Sequence, residues 1–387
     1  MKSPLIQQQK QKLRIMQIAP FAFPIKKEIG YGGIERVIRD LDSQFVEQGH
    51  ESFVIAPHDS EIQGKLYPMQ VASSLLNSRK ENFEKYSKKS LEFILENRPD
   101  IVHDHLGVIK SEAFQNADCL PPFLFTLHGS LNKKDKRWLG NLKNNSKKRV
   151  FFNSISCSQY NHFNTVIPVD YMIYNAVDVD SFPYFEKGRG FVFSLGLIDP
   201  KKGPDIALDV ARELGKKIIV AGPYNHKQQT EEFWNKSIKP KIDLFQKVPL
   251  EKIDEFIDFF LSSDYRSAYI GNLTETHKKI WFGKADAFYF PIRWQEPFGL
   301  VMIESMATGT PVVAYNRGAV PEVIKHGETG FIVEGQDFNS FLSYASRVNE
   351  ISRAKCREHV GRNFPVQKQA REYIEAYKDI ISKSYNF

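Results

Sequence analysis

The sequence predicts an α/β protein built as two domains, and three observations carry that prediction. At 387 residues the chain is longer than a single hydrophobic core usually organises. Units of apolar strand, glycine-bearing loop and amphipathic helix recur from residue 13 onward, and they begin afresh at residue 191. Between the two series, 182–190 supplies proline, glycine and charge in the manner of a linker. The first domain is therefore placed at 1–182 and the second at 183–366, with a terminal helical stretch at 367–387.

Composition narrows the class. Apolar residues make up 42% and charged residues 26%, the balance of an ordinary globular chain. The formal charge of +7 suits anionic small substrates or a membrane surface better than dedicated nucleic-acid binding, and no nucleic-acid module supports the latter. Cys119, Cys157 and Cys356 are isolated, which points to a reducing compartment and away from a zinc framework. The polar, Gln/Lys-rich 1–12 lacks the apolar centre of a signal peptide, and no run reaches bilayer-spanning length. The expectation is a cytoplasmic protein.

In the first half, 13–19 reads as a strand, and Gly30-Tyr-Gly-Gly33 opens a helix whose apolar face is Ile34, Val37, Ile38, Leu41 and Phe45, stopped by Gly49. Glu35 occupies the third glycine position of Gly-x-Gly-x-x-Gly, so this is not the dinucleotide fingerprint, and a nicotinamide-dependent oxidoreductase is disfavoured. A second strand spans 52–56, 60–80 reads as a polar connection without periodicity, and 81–97 reads as a helix. The strand at 100–105 places His103 and His105 on one side. They have no third partner for zinc and are expected to line a cleft at the strand's carboxyl end, where open α/β sheets bind ligands. The apolar strand 123–129 likewise ends at His128. A basic run at 133–149 surrounds Trp138 and Leu139; it reads either as a solvated segment or as a patch making peripheral contact with a membrane. Strands at 149–158 and 171–175 close this half.

The second half opens with a strand at 191–195, a loop from Gly196 to Gly203, a helix at 204–214 and a strand at 216–221. Lys202-Gly203 before a helix makes an anion cradle with an added ammonium. Irregular helical pattern fills 230–262, and 269–273 reads as strand and loop. After a strand at 285–290, Leu300, Val301, Ile303 and Met306 recur at helical spacing until Gly309. The free amides of Phe298, Gly299 and Leu300 then face outward with the positive end of the helix dipole, which suits a diphosphate. Glu296 lies in the delivering loop and Glu304 roughly one and a half turns into the helix, at about 1.5 Å rise per residue, so two carboxylates flank one anion site. A strand at 331–333, a helix at 337–348 and an amphipathic helix at 367–384 complete the chain.

The stretch Glu296-Pro-Phe-Gly-Leu-Val-Met-Ile-Glu304 resembles the paired-glutamate signature of the retaining, nucleotide-sugar-dependent glycosyltransferases of family 4, which have the GT-B architecture. Thr308-Gly-Thr-Pro-Val-Val, Gly318-Ala-Val-Pro-Glu322 and Gly327-Glu-Thr-Gly330 extend the likeness. Tyr31-Gly-Gly-Ile-Glu-Arg36 resembles the family's loop over the donor phosphates, and Thr126-Leu-His-Gly129 the segment whose histidine touches sugar and phosphate. Asn175-Ala-Val-Asp178 resembles the domain junction, so Asp178-Val-Asp180 is read as junction rather than metal site.

The resemblance implies two Rossmann-like domains facing across a cleft, with the C-terminal helix crossing back to the first. It implies hexosyl transfer with retention, without a metal or separate cofactor, from a UDP- or GDP-sugar. The acceptor would be a saccharide or lipid-linked hydroxyl in cell-envelope, polysaccharide or glycolipid synthesis. Glu296 would hold the sugar hydroxyls, Glu304 the ribose and His128 the sugar edge. Gly32, Gly33, Lys202 and the amides of Phe298, Gly299 and Leu300 would hold the diphosphate, and Asn272 and Leu273 the base. The family usually has arginine where this chain has Leu197, which removes one charge-assisted contact to the diphosphate. Two other classes compete: a glycoside hydrolase using the paired acids, which needs no anion-binding helix start, and a non-catalytic sugar-nucleotide or glycan-binding protein.

Overall fold

Among the described residues, fourteen short strands form two separate parallel sheets, the inner ones buried on both faces as strands covered by helices must be. The structure is a computed structural model that describes residues 12–28, 30, 32–70, 79–129, 149–224 and 228–385. The first sheet contains β1 (Arg14–Ile18), β2 (Glu51–Pro57), β3 (Lys65–Met69), β4 (Ile101–Asp104), β5 (Phe123–Leu127), β6 (Val150–Ser154) and β7 (Tyr171–Met172), in the order β3-β2-β1-β4-β5-β6-β7. The second contains β8 (Phe191–Leu195), β9 (Lys217–Ala221), β10 (Leu244–Phe245), β11 (Ser267–Tyr269), β12 (Ala287–Phe290), β13 (Val312–Tyr315) and β14 (Gly330–Val333), in the order β10-β11-β9-β8-β12-β13-β14.

Among the described residues the α-helices are α1 (Gly33–Glu47), α2 (Arg79–Asn97), α3 (Glu112–Gln115), α4 (Cys157–Asn164), α5 (Pro204–Glu213), α6 (Gln228–Phe233) and α7 (Ile253–Ser262). They continue with α8 (Glu275–Lys284), α9 (Leu300–Ala307), α10 (Val320–Val323), α11 (Phe338–Ala345), α12 (Arg353–Asn363) and α13 (Val366–Tyr385). Strand order reverses beside β1 in the first sheet and beside β8 in the second, and the crevice outside the carboxyl ends of such strands is where open sheets bind ligands.

The expected C-terminal helix crosses back to the first sheet. Tyr373, Ile374, Tyr377 and Ile380 of α13 are buried against Leu13, Ile15, Val37, Leu41 and Phe45, so the last helix seals the core that the first strand opens. The Tyr377 hydroxyl meets His103 Nδ1 at 2.7 Å, and Asn153 donates to the Tyr373 hydroxyl at 3.0 Å.

Several local expectations need correction. Within 60–80 the chain forms β3, an edge strand whose Tyr67 and Met69 face inward while Pro68 is tolerated because only β2 pairs with it. The strand expected at 149–158 ends at Ser154; Ser156 then caps α4, its Oγ accepting from Gln159 N at 3.0 Å. Inside 230–262 lies β10, the edge of the second sheet. Helices α8 and α12 occupy stretches to which the sequence reading assigns no element. The basic run over 133–148 lies outside the described residues. Among the described residues no helix is long and apolar enough to cross a membrane.

Candidate active site between the two sheets

A cavity of about 500 Å³ opens where the carboxyl edges of the two sheets face each other. From the first half it is lined by Gly32, Gly33, Glu35, Arg36 and His128, and from the second by Lys202, Asn272, Lys278, Glu296, Phe298, Gly299, Leu300 and Glu304. Every residue to which the family resemblance gave a role at sugar, diphosphate, ribose or base lines it except Leu273, which is buried in the core with its carbonyl close to Gly30. Leu197 is half-buried and lies outside the lining, although its neighbour Gly196 belongs to it.

Two loops build the second half's wall. The loop after β8 ends in the turn Pro200–Lys202, fixed by Asp199, whose carboxylate accepts from Lys201 N at 2.8 Å. The loop after β12 is stitched to it by Arg293, which donates from its backbone N to Lys201 O at 2.8 Å and from Nη2 to Asp205 at 2.6 Å. Gly299 then turns the chain into α9 in the left-handed region, φ 81°, which glycine adopts without strain. The amides of Phe298, Gly299 and Leu300 find no backbone acceptor among the described residues, as the first groups of a helix should not. Gly318 lets the next loop press against this one: a Cβ there would overlap the Glu296 backbone.

Glu296 is 8% exposed, and its Oε2 accepts from Lys202 Nζ at 2.7 Å and from Trp294 Nε1 at 2.8 Å. The Lys202 ammonium also sits 5.0 Å from the Trp294 ring centroid. The lysine expected at the diphosphate is thus held on the first glutamate. Glu304 is 2% exposed and forms an ion pair through Oε1 with Arg36 of α1; Lys278 Nζ lies 3.9 Å from the same oxygen. Burial alone would push the Glu304 carboxyl up, but the charges of Arg36 and Lys278 more than offset it and hold the group below the usual range. Glu304 Oε2 and Arg36 Nε and Nη2 are buried without partners.

Further pairs join the halves around the cavity. Arg39 of α1 forks onto Glu275 of α8 at 2.9 and 3.2 Å, and Glu28 accepts from the Thr276 hydroxyl. Glu322 accepts from Cys157 N at 2.6 Å and Ser158 N at 2.7 Å, capping α4 across the cleft, and from the Tyr174 hydroxyl at 3.0 Å. Arg36, Glu275 and Glu322 were not singled out as site residues in the sequence. Arg36 and Glu322 each end a quoted motif, which was the available signal; Glu275 offered none.

His103 and His105 do not line the cavity, contrary to expectation. His103 is fully buried between Thr126 and Tyr377, and His105, 4% exposed, sits behind His128 with Nδ1 at 2.9 Å from His128 Nε2. Loss of hydration drives the His128 imidazole down to about 4, so it is neutral near pH 7. Burial conversely raises the Glu35 carboxyl to about 7. Among the described residues no group of three or more His, Cys, Asp or Glu side chains is placed to hold a metal ion.

Comparison with known proteins agrees with this geometry. The model of Glycosyltransferase Family 4 matches 31–181 and that of Glycosyl transferases group 1 matches 266–364, one in each half. Spore coat protein SA of Bacillus subtilis (strain 168) is 36% identical over 103 residues, covering 24% of this chain and 27% of that protein. The lipopolysaccharide core biosynthesis mannosyltransferase LpsB of Rhizobium meliloti (strain 1021) is 32% identical over 109 residues, covering 26% of this chain and 31% of that one. These matches span about a third or less of either relative. Sucrose-phosphate synthase from Thermosynechococcus elongatus shares the fold over 96% of this chain and 100% of its own, at TM-score 0.74 and 15% identity. With a matching family model in each half and the GT-B arrangement of two facing parallel sheets, the chain belongs to the family 4 glycosyltransferases.

Proposed function

We propose that the chain transfers a hexosyl group from a nucleoside diphosphate sugar, a UDP- or GDP-sugar, to an acceptor hydroxyl with retention at the anomeric carbon. The observation that carries this reading is the placement of Glu296 and Glu304 on either side of the α9 amino terminus, in a cavity shared by both halves. In the reaction the bond between the anomeric carbon and the diphosphate oxygen breaks, the acceptor oxygen bonds to the same face, and the acceptor proton passes to the departing diphosphate oxygen. Negative charge grows on the departing diphosphate. The free amides at the start of α9 are preorganised to stabilise it, and the ammonium of Lys202 becomes available once a sugar hydroxyl takes its place on Glu296. Glu296 orients the sugar, Glu304 receives the ribose hydroxyls on Oε2, and neutral His128 approaches from the first half. These positive groups take the role that a metal would play in charge stabilisation, so the reaction proceeds without one. The acceptor is a saccharide or lipid-linked hydroxyl of cell-envelope or polysaccharide synthesis, bound against the first half.

The test is transfer from UDP- and GDP-hexoses to simple glycoside and lipid-linked acceptors, with product configuration read from the anomeric proton coupling and the assay repeated in EDTA. Retained configuration and activity that survives chelation are expected. An inverted product, or loss of activity restored by magnesium, overturns the mechanism. Tight binding of a nucleoside diphosphate without turnover on any acceptor would favour the non-catalytic binder.

A further inference from the structure

A column of three imidazoles runs from the core to the cavity, and only its outer member has a role in the reaction just proposed. His103 Nε2 lies 2.7 Å from Thr126 Oγ1 and its Nδ1 2.7 Å from the Tyr377 hydroxyl, so both ring nitrogens are satisfied by hydroxyls that can turn to suit them. His105 packs against His103 with the rings tilted by 37° and their centroids 3.8 Å apart, and its Nδ1 lies 2.9 Å from His128 Nε2. His105 Nε2 is buried without a partner. His128 Nδ1 makes no hydrogen bond among the described residues and is not sealed from solvent, and His128 lines the cavity.

One proton lies between His105 Nδ1 and His128 Nε2, which leaves two arrangements. If His128 donates, the proton of neutral His105 sits on Nε2, a buried N–H with nothing to receive it, and His128 presents a bare Nδ1. If His105 donates, the buried Nε2 is an unfilled acceptor, and His128 carries its proton on Nδ1. Orphaned buried N–H groups are rarer than under-satisfied acceptors, so the second arrangement wins. We propose that His105 is a positioning residue: it donates from Nδ1 to His128 Nε2, fixes His128 as the Nδ1–H tautomer, and so turns a neutral hydrogen-bond donor toward the ligand. A donor there suits a sugar hydroxyl oxygen or a diphosphate oxygen; a bare nitrogen would repel the latter. This role in turnover rests on the glycosyl-transfer reading, whereas the tautomer itself does not.

The experiment uses the full chain labelled with ¹⁵N-histidine, and long-range ¹H–¹⁵N correlation reports which ring nitrogen of His128 holds the proton, its signals assigned by their loss in His128→Gln. Nδ1–H is expected in the wild type and in His105→Asn, whose amide N–H can stand in for Nδ1–H. His105→Asp offers only an acceptor and should draw the proton to Nε2. Its transfer rate should fall by about a hundredfold, the cost of losing one preorganised donor, while His105→Asn stays close to wild type. An Nε2–H signal in the wild type overturns the proposal without any variant having to fold. So does a folded His105→Asp in which tautomer and rate are unchanged. If no nucleotide sugar supports transfer but His128 is the Nδ1–H tautomer, the functional reading fails and the positioning stands.

Discussion

Replacing Arg36 by methionine removes the guanidinium that links the halves while keeping an apolar stem of similar length. Breaking a buried ion pair by deleting one partner typically costs about 3–5 kcal/mol, because the other charge is stranded. Here Lys278, 3.9 Å from Glu304, remains as a counter-charge in the variant, so the loss should sit at the lower end of that range, about 3 kcal/mol. The substitution also deletes two buried donors, Nε and Nη2, that have no partner, each of which costs about 1–3 kcal/mol to keep. The relief of about 2–6 kcal/mol offsets most or all of that loss, so the ligand-free protein should lose no more than about 1 kcal/mol of stability. On the proposed function a nucleoside diphosphate should change the balance, its oxygens and ribose hydroxyls giving the orphaned groups on Arg36 and Glu304 their partners. Losing a charge-assisted hydrogen bond worth about 1.5–3 kcal/mol then weakens ligand affinity by roughly ten- to a hundredfold. Denaturant titration of wild type and Arg36→Met, each with and without nucleoside diphosphate, separates the effects. A large loss of stability in the empty protein together with unchanged ligand affinity would refute the reasoning and make the pair a purely structural tie.

Glu35 gives a pH signature. Its folded-state pKa of about 7 lies above the ordinary value of 4.5, so the folded chain holds a proton that the unfolded chain has released; stability therefore falls as pH rises from about 4.5 to 7 and is flat above. The shift is worth at most about 3 kcal/mol, and Glu35→Gln should abolish this part of the pH dependence; equal slopes in wild type and variant would show that the group is not buried as described. For the glutamate pair, Glu304→Ala should chiefly weaken nucleotide binding, while Glu296→Ala should spare nucleoside diphosphate affinity and depress turnover. Calorimetry alongside initial rates checks this, and the reverse pattern would mean the two roles are exchanged. Finally, Gly318→Ala must push the Glu296 backbone aside, so turnover should drop in a protein whose nucleoside diphosphate affinity is largely kept; wild-type rates would show that the loop tolerates the methyl group.

The strands that were legible are those whose side chains are buried on both faces, such as 191–195 and 287–290, because short apolar runs bounded by glycine, proline or charge have few other uses. The start of α9 was legible for the same local reason: Gly299 and the spacing after it define a helix entry wherever they occur. Edge strands β3 and β10 were not, since one neighbour and partial exposure leave no hydrophobic pattern. Period-two spacing correctly placed His103 of β4 and His105, just past its end, on one side. It could not reveal that Tyr377, 274 positions away, covers that side. The ion pair of Arg36 with Glu304 and the hold of Lys202 on Glu296 have the same character. Each depends on two loops meeting, and a sequence shows only the charges available to meet.

The proposed function requires the cavity between the sheets to be a nucleoside diphosphate site read by Glu304. Thermal and calorimetric titration of the full chain with UDP, GDP and ADP, in parallel with Glu304→Gln, tests it most directly. At about a hundredfold excess over the dissociation constant, one of the diphosphates should stabilise the wild type by roughly 2.7 kcal/mol, and the variant should lose most of that gain. Absence of binding by all three, or equal binding by wild type and variant, would contradict the account.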